Sequence, residues 1–187
     1  DSLENPVPYQ IVSRLDDRTD LYLFADDVPS LGYKTYYVVP GEQQTADSRI
    51  VAVSEDGRCL ENDFQRVTIN DDGSLNIHCK STNEDYTGLG YFEDSGDSGD
   101  TYDYSYPPEE RIINSLNHPA KIQVVESGPL LARVRVEITL DLPKSLTPDR
   151  TSRTEETAAY PIVTFVDLTA DSHRVEVHTF VQNTVKD

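Results

Sequence analysis

The stretch Arg133 to Leu142, Arg-Val-Arg-Val-Glu-Ile-Thr-Leu-Asp-Leu, decides the fold class because apolar and polar residues alternate along it without a break. Successive side chains of a strand point to opposite faces of a sheet, so this period of two is typical of a strand buried on one face. The same alternation returns at 162–168 and at 175–181. The pattern therefore predicts an antiparallel sheet with one polar face.

Shorter strand-like segments accompany this region, and residues typical of turns separate them. The predicted shorter strands are 20–24, 33–39, 49–54, 64–70, 74–79 and 122–126. Tight hairpin turns are expected at Asn70–Gly73 and Ser127–Pro129, where Gly, Pro, Asn and Asp cluster, and a third turn at Thr169–Ser172. Because no segment shows a sustained apolar repeat of 3.6 residues, we expect an all-β protein, an antiparallel β-sandwich with very little helix.

The 187 residues are enough for one domain with a real hydrophobic core. We expect residues 1–54 to form a small leading β segment and residues 55–187 to form the first part of a large β-sandwich. The segments 41–48 and 144–157 are polar and lack apolar periodicity, and we expect both to be solvated loops.

The net charge of −18 comes from 16 Lys and Arg residues against 34 Asp and Glu residues. Such a charge repels phosphate backbones and anionic lipid, so neither nucleic acid nor a membrane surface is an expected partner. No run reaches the roughly 20 apolar residues of a membrane helix, and residues 1–6 lack the basic and apolar regions of a signal peptide. The expected location is cytoplasmic.

Cysteine and histidine residues give little sign of a metal centre. Cys59 and Cys79 are the two cysteines, too few for a disulfide scaffold, so reduced thiols are expected unless their strands are neighbours. His78 and Cys79 are consecutive in a predicted strand and point to opposite faces, as do His173 and His178. We expect four surface histidines and no metal site in this chain.

The segment from Gly88 to Pro108 carries the most informative side chains. Its carboxylates recur at every third position, at Asp94, Asp97, Asp100 and Asp103, and Gly96 and Gly99 stand between them. Aromatic residues occupy positions 91, 92, 102, 104 and 106. Loops between strands carry function more often than strands do, so this segment is the candidate site.

Three interpretations of this segment are open. A calcium loop would use its oxygens, but a period of three without a closing Glu differs from the spacing of an EF-hand. A sugar-binding loop would combine carboxylates that accept hydrogen bonds from hydroxyl groups with aromatic faces that cover the ring. A solvated acidic loop, with Tyr side chains packed on the end of the sandwich, fits the composition at least as well.

The string Gly90 to Ser105, Gly-Tyr-Phe-Glu-Asp-Ser-Gly-Asp-Ser-Gly-Asp-Thr-Tyr-Asp-Tyr-Ser, closely resembles a loop of bacterial α-mannosidases of glycoside hydrolase family 38, a group that includes mannosylglycerate hydrolases. Four other stretches agree with this family in the same order, namely 28–36, 60–67, 124–130 and 178–187. Each match is short, but five in order over most of the chain are together fairly specific.

The resemblance implies a β-sandwich of the galactose mutarotase-like supersandwich type, truncated at its C-terminus, from a retaining α-mannosidase. In this family the divalent metal, commonly zinc, and the nucleophilic Asp belong to other domains. The resemblance therefore implies no cofactor and no catalytic residue in this fragment, which is expected to be inactive alone. The implied partners are an α-mannoside substrate and the remaining domains of the same polypeptide.

The resemblance also implies substrate-binding residues. A Tyr in the corresponding loop of the family reaches the sugar, which selects Tyr102, with Tyr104 as the second candidate because Gly99–Tyr102 departs from the Ser-Gly-Ala-Tyr form of animal members.

Asp94, Asp97 and Asp100 are expected to line or brace the same rim, the alternative being a solvated turn. For the chain as a whole, a free-standing carbohydrate- or calcium-binding β-sandwich and a purely structural interaction module are the alternatives.

Overall fold

The computed structural model describes residues 6–39 and 50–186, and within these ranges it contains thirteen strands and no helix. The strands are β1 Tyr9–Arg14, β2 Thr19–Leu23, β3 Ala52–Val53, β4 Cys59–Glu61, β5 Gln65–Ile69, β6 Leu75–Cys79, β7 Glu84–Leu89, β8 Glu93–Asp94, β9 Ile113–Asn114, β10 Lys121–Ser127, β11 Leu131–Pro143, β12 Thr157–Thr169 and β13 Val175–Val181. Every pairing between these strands is antiparallel. The predicted all-β antiparallel fold is confirmed.

Two sheets form the body of the protein. One has the strand order β3-β4-β5-β6-β7 and the other has the order β10-β11-β12-β13. The strands β11 and β12 pair along 13 residues each, from Leu131 opposite Thr169 to Pro143 opposite Thr157. Two small sheets, β1-β2 and β8-β9, accompany them.

The hydrophobic core lies between the two main sheets. Alternate residues of β11 are buried against it, namely Val134, Val136, Ile138, Leu140 and Leu142. The facing sheet supplies Leu60, Val67 and Ile69. At the β5-β6 turn, a Cβ on Gly73 would lie 2.9 Å from Ile138 Cδ1, and its φ is +79°. Glycine is required at this turn both by the backbone conformation and by the close approach of the other sheet.

Asn62 links the two main sheets through its side-chain amide and is only 3% exposed. Its Oδ1 accepts hydrogen bonds from the backbone N–H groups of Phe64 and Gln65, each at 2.9 Å. Its Nδ2 donates to the carbonyl oxygens of Thr169 and Ser172, at 2.8 and 2.9 Å. An amide side chain offers two donors and an acceptor oxygen with two lone pairs, so Asn62 uses its full bonding capacity.

Gln10 attaches the leading hairpin β1-β2 to the turn between β10 and β11. Its Oε1 accepts from the N–H groups of Leu130 and Leu131 at 3.1 and 2.8 Å, and its Nε2 donates to Leu131 O at 3.1 Å. A Cβ on Gly128 would stand 2.2 Å from Gln10 Cδ, so glycine makes room for this contact. The division at residue 54 stays a prediction, although β3 pairs with β4 across it.

Several strand predictions are wrong in detail. The segment 33–39 forms no strand, and Tyr33 and Val38 are 86% and 92% exposed. β-branched and aromatic residues favour strands only where a partner and a covered face exist, and this segment pairs with no described strand. Among the described residues of the predicted strand 49–54, only Ala52–Val53 forms a strand, and β1, β4, β7, β8 and β9 were not predicted.

The loop predictions have different outcomes. The predicted loop 41–48 lies outside the described residues. The predicted solvated loop 144–157 is wrong in part, because Leu146 and Arg153 are buried within it. The backbones of these two residues pair in an isolated antiparallel bridge at the end of the β11-β12 hairpin.

The cysteines are free thiols, as expected. Cys59 lies in β4 and Cys79 in β6, with β5 between them. Two strand spacings amount to about 10 Å, beyond the reach of a disulfide. Burial raises the pKa of the Cys59 thiol, whereas hydrogen bonds from Ser81 and Thr82 lower the pKa of Cys79 to about 7.

Candidate substrate-facing loop

The candidate site is the segment 94–107, here called the acidic loop. It leaves β8, which pairs with β9, and its last residue, Pro107, is fully buried. Between these anchored ends the side chain of Tyr102 is 92% exposed and that of Tyr104 is 62% exposed. The loop therefore has a fixed base and presents aromatic side chains to solvent.

Asp97 ties the two arms of the acidic loop together. Its Oδ1 accepts hydrogen bonds from the backbone N–H groups of Gly99 at 2.8 Å and Ser105 at 3.1 Å. The N–H of Ser98 also donates to Ser105 O at 2.6 Å. Because both N–H groups stabilise the charged form, they lower the pKa of Asp97, Ser105 more than Gly99.

Asp100 shapes the tip of the loop. Its Oδ1 accepts from the N–H groups of Tyr102 at 2.8 Å and Asp103 at 3.1 Å, and its own N–H donates to Asp103 O at 3.1 Å. This pattern is an Asx turn. A Cβ on Gly99 would lie 1.8 Å from Asp103 O, so the tip closes only with glycine at that position.

Asp94 lies at the base of the loop and points toward a buried arginine. Its Oδ1 is 2.5 Å from Arg153 Nη2, and the side chains of Asp94 and Arg153 are 27% and 1% exposed. The two groups meet as an ion pair without the alignment of a hydrogen bond. The three carboxylates thus have bracing contacts, whereas their contact with a substrate stays a prediction.

The two tyrosines differ in the state of their hydroxyl groups. Tyr104 Oη lies 3.0 Å from Ser95 Oγ and is hydrogen-bonded back to the base of the loop. Tyr102 Oη makes no hydrogen bond to any described residue, and the side chain projects from the Asx turn. Of the two candidates, Tyr102 therefore has the hydroxyl group that is available to a ligand.

A second loop, residues 144–156 between β11 and β12, packs along the acidic loop. Arg150 Nη2 donates to Gly99 O at 3.1 Å, and Glu109 N donates to Thr151 O at 2.9 Å. Sequence reasoning missed Arg150 and Arg153, because local composition does not reveal a tertiary partner. The sequence offers one signal: in a protein with a net charge of −18, both arginines fall in a short polar segment that has no apolar periodicity.

A cleft lies at each end of the paired strands β11 and β12. A cleft of about 260 Å³ beside the base of the acidic loop is lined by Asp94, Arg153, Tyr160 and apolar residues of β11 to β13. A cleft of about 400 Å³ lies between β2 and the Arg133–Asp167 pair. Neither cleft is lined by Tyr102 or Tyr104.

Metal-binding groups do not converge within the residues described. No set of three or more His, Cys, Asp and Glu side chains in that part of the chain is placed to hold a metal ion. His78 Nδ1 lies 2.9 Å from Asp85, and the His173 ring packs on Phe64. No helix that is long and apolar enough to cross a membrane occurs in residues 6–39 or 50–186.

Comparison with known proteins supplies the family. Residues 60–186 match the C-terminal domain of glycosyl hydrolases family 38. A protein of Halalkalibacterium halodurans named as a putative mannosylglycerate hydrolase is 27% identical over 172 residues, which cover 84% of this chain and 19% of that protein.

Two solved structures share the fold. A family 38 protein of Enterococcus faecalis superposes with a TM-score of 0.75 at 26% identity, covering 80% of this chain and 19% of that one. An α-mannosidase from Enterococcus faecalis V583 superposes with a TM-score of 0.75 at 23% identity, covering 97% of this chain and 23% of that one. The chain thus spans about a fifth of the length of the relatives that it matches.

Proposed function

The chain belongs to glycoside hydrolase family 38, and from this premise we propose that it is the non-catalytic β-sandwich region of a retaining α-mannosidase. In this proposal the acidic loop forms part of the sugar pocket of the intact enzyme, whose substrates are α-mannosides. The observation that carries the proposal is the exposed hydroxyl of Tyr102, 92% exposed on a loop that is braced from within. Packing of the sandwich does not account for a side chain in that position.

Tyr102 would act by positioning the sugar. A phenolic hydroxyl both donates and accepts, so it can bond a sugar hydroxyl in either sense. Asp97 and Asp100 hold the loop through backbone N–H groups, so less conformational freedom is lost when the sugar binds. A hydrogen bond that strengthens in the transition state raises kcat, whereas one that is equal in both states lowers KM only.

The acid, the nucleophile and the metal are assigned to other parts of the enzyme. Retaining hydrolysis needs two carboxyl groups about 5–5.5 Å apart on either side of the scissile bond. Asp94, Asp97 and Asp100 are instead engaged by Arg153 and by backbone N–H groups. The described residues offer no fitting set of ligands for the expected zinc ion. The isolated chain is therefore proposed to be inactive toward α-mannosides.

The remaining domains of the same polypeptide are the proposed partners, and β13 supports this. In the part of the chain described, β13 pairs with β12 only, yet Val177, Phe180 and Val181 are 47%, 61% and 52% exposed. Val177 and Val181 lie opposite the buried Val166 and Ile162, so the core-facing side of β13 is exposed at these two positions. By contrast, β7 begins with Glu84 and Asp85, and charged residues protect a free edge. Neither nucleic acid nor a membrane is a proposed partner, and a cytoplasmic location stays a prediction.

Paired substitutions in the intact enzyme test the proposal. Tyr102→Phe keeps the ring and removes one hydroxyl, and we expect kcat/KM for an aryl α-mannoside to fall roughly tenfold to hundredfold, equivalent to about 1–3 kcal/mol. Tyr104→Phe, the matched control, should change kcat/KM much less because its hydroxyl bonds Ser95. A loss with Tyr104→Phe alone would move the assignment to Tyr104. Wild-type kinetics in both variants would refute the role of the loop.

A further inference from the structure

Arg153 is a charged side chain in an unusual place. It belongs to the loop 144–156, yet its side chain is only 1% exposed. Arginine is almost never fully buried unless it is paired, because removing the charge from water is costly. The ion partner of Arg153 is Asp94, the first residue of the acidic loop, so the buried charge is directed at the candidate site.

The contacts of Arg153 converge on the base of the acidic loop. Its Nη2 lies 2.5 Å from Asp94 Oδ1, and its Nη1 donates to Arg111 O at 3.4 Å, just beyond the far end of the loop. Its Cγ and Cδ lie 3.1 Å from where a Cβ on Gly96 would stand, and Pro107 Cγ lies 3.0 Å from the same point. One side chain therefore contacts the start of the loop and the segment that follows its end.

The loop that carries Arg153 is a firm support. It closes the long β11-β12 hairpin, and within it Thr147 N donates to Ser152 O at 2.9 Å while Leu146 is buried. Its second contact, from Arg150 to Gly99 O, reaches the tip of the acidic loop. The loop 144–156 thus contacts the acidic loop at its base, through Asp94, and near its tip, through Gly99, and these two contacts restrain its orientation.

Resting on the proposed function above, we propose that Arg153 is a positioning residue that sets where Tyr102 stands in the sugar pocket. A buried ion pair contributes little net stability compared with an apolar pair of similar volume. The contacts of Arg153 with Asp94 and with the Arg111 carbonyl instead favour one arrangement of the base of the acidic loop. Since Arg153 acts through Asp94 and the loop, its loss should change catalysis by displacing Tyr102, and displacements of about 1 Å can cost roughly a hundredfold in rate.

The test is a double-mutant cycle in the intact enzyme, with kcat and KM measured on an aryl α-mannoside. Arg153→Met removes the charge and keeps an unbranched apolar stem, and kcat should fall roughly tenfold or more. In that background Tyr102→Phe should cost less than about threefold further, because the hydroxyl is already displaced. Arg153→Lys retains the ion pair with Asp94 and should recover part of the activity.

Arg133→Met is the matched structural control. Arg133 also forms an ion pair with a buried carboxylate, Asp167, but on the outer face of the β11-β12 sheet and without contact to the acidic loop. Its loss should lower thermal stability and leave kcat unchanged. Hydrogen exchange of the Gly99 and Ser105 amides provides an independent readout, and we expect faster exchange in Arg153→Met than in Arg133→Met.

Each result has a defined meaning. Wild-type kcat in Arg153→Met, or full additivity with Tyr102→Phe, overturns the inference and leaves the proposed function standing. A silent Tyr102→Phe in the wild-type background refutes the proposed function, and the inference falls with it. If Arg153→Met does not fold, Asp94→Asn replaces it in the same cycle, since it removes the charge of the partner and keeps the shape of the side chain.

Discussion

Replacing Asn62 by Ala tests how the two sheets are held together. The substitution removes the Nδ2 donors from the carbonyls of Thr169 and Ser172 and the Oδ1 acceptor from two N–H groups of the β4-β5 turn. At about 1 kcal/mol net for each of the four bonds, we expect the free energy of unfolding to fall by about 4 kcal/mol. A domain of this size is typically stable by only about 5–15 kcal/mol, so the effect is large.

Asn62→Asp separates the two halves of this network. A carboxylate keeps the acceptor for the turn but faces the carbonyls of Thr169 and Ser172 without a donor, so we expect a loss of roughly 2–4 kcal/mol. Asn76→Ala is the matched control, because Asn76 bonds only within its own sheet, to Asn70 and Gly88. That variant should lose about 1–2 kcal/mol.

Urea unfolding followed by far-ultraviolet circular dichroism measures all three variants. The midpoint should shift with an unchanged slope, since the surface exposed on unfolding is the same. The melting temperature of Asn62→Ala should drop by roughly 8–16 °C. If Asn62→Ala loses no more stability than Asn76→Ala, the inter-sheet amide is not what joins these turns.

Two further outcomes are expected. Gly99→Ala places a Cβ 1.8 Å from Asp103 O, so the tip of the acidic loop must open. We expect kcat/KM of the intact enzyme to fall about as much as in Tyr102→Phe, while the melting temperature hardly changes. A fully active Gly99→Ala enzyme would contradict the closed tip. Hydrogen bonds from Arg66 and then Lys80 lower the pKa of Glu61 from 4.5 to about 2, so its contribution to stability is complete above pH 4.5 and is lost as the pH falls toward 2. The stability difference between wild type and Glu61→Gln should shrink over that interval in acid titrations, and a constant difference would show that the ion pairs contribute nothing.

The strands that sequence predicted best are those with one covered face. β11 and β12 alternate because burial between two sheets imposes a period of two, and the turns that precede β11 and follow β12 carry Gly, Pro and Asp. β13 keeps the alternation in its sequence although most of its residues are exposed. β7 escaped prediction because all six of its residues are exposed and no burial pattern marks them. The segment 33–39 has the composition of a strand without a partner, which composition alone does not reveal.

The candidate site was predictable in position but not in detail. The composition of the acidic loop singled it out, yet residue type does not distinguish a carboxylate that binds a ligand from one that accepts backbone N–H groups, as Asp97 and Asp100 do. The pairing of Asp94 with Arg153 joins two loops that are distant in sequence. Tertiary packing of the loop 144–156 against the base of the acidic loop brings them together.

The most direct test of the central claim is a crystal structure of the intact enzyme with a mannose-configured inhibitor in its active site. We predict that Tyr102 Oη lies about 2.5–3.0 Å from a hydroxyl of the sugar. The acidic loop should keep the Asp97 and Asp100 contacts described above. A bound sugar that Tyr102 does not contact, with the acidic loop facing solvent away from the active site, would contradict the proposed function.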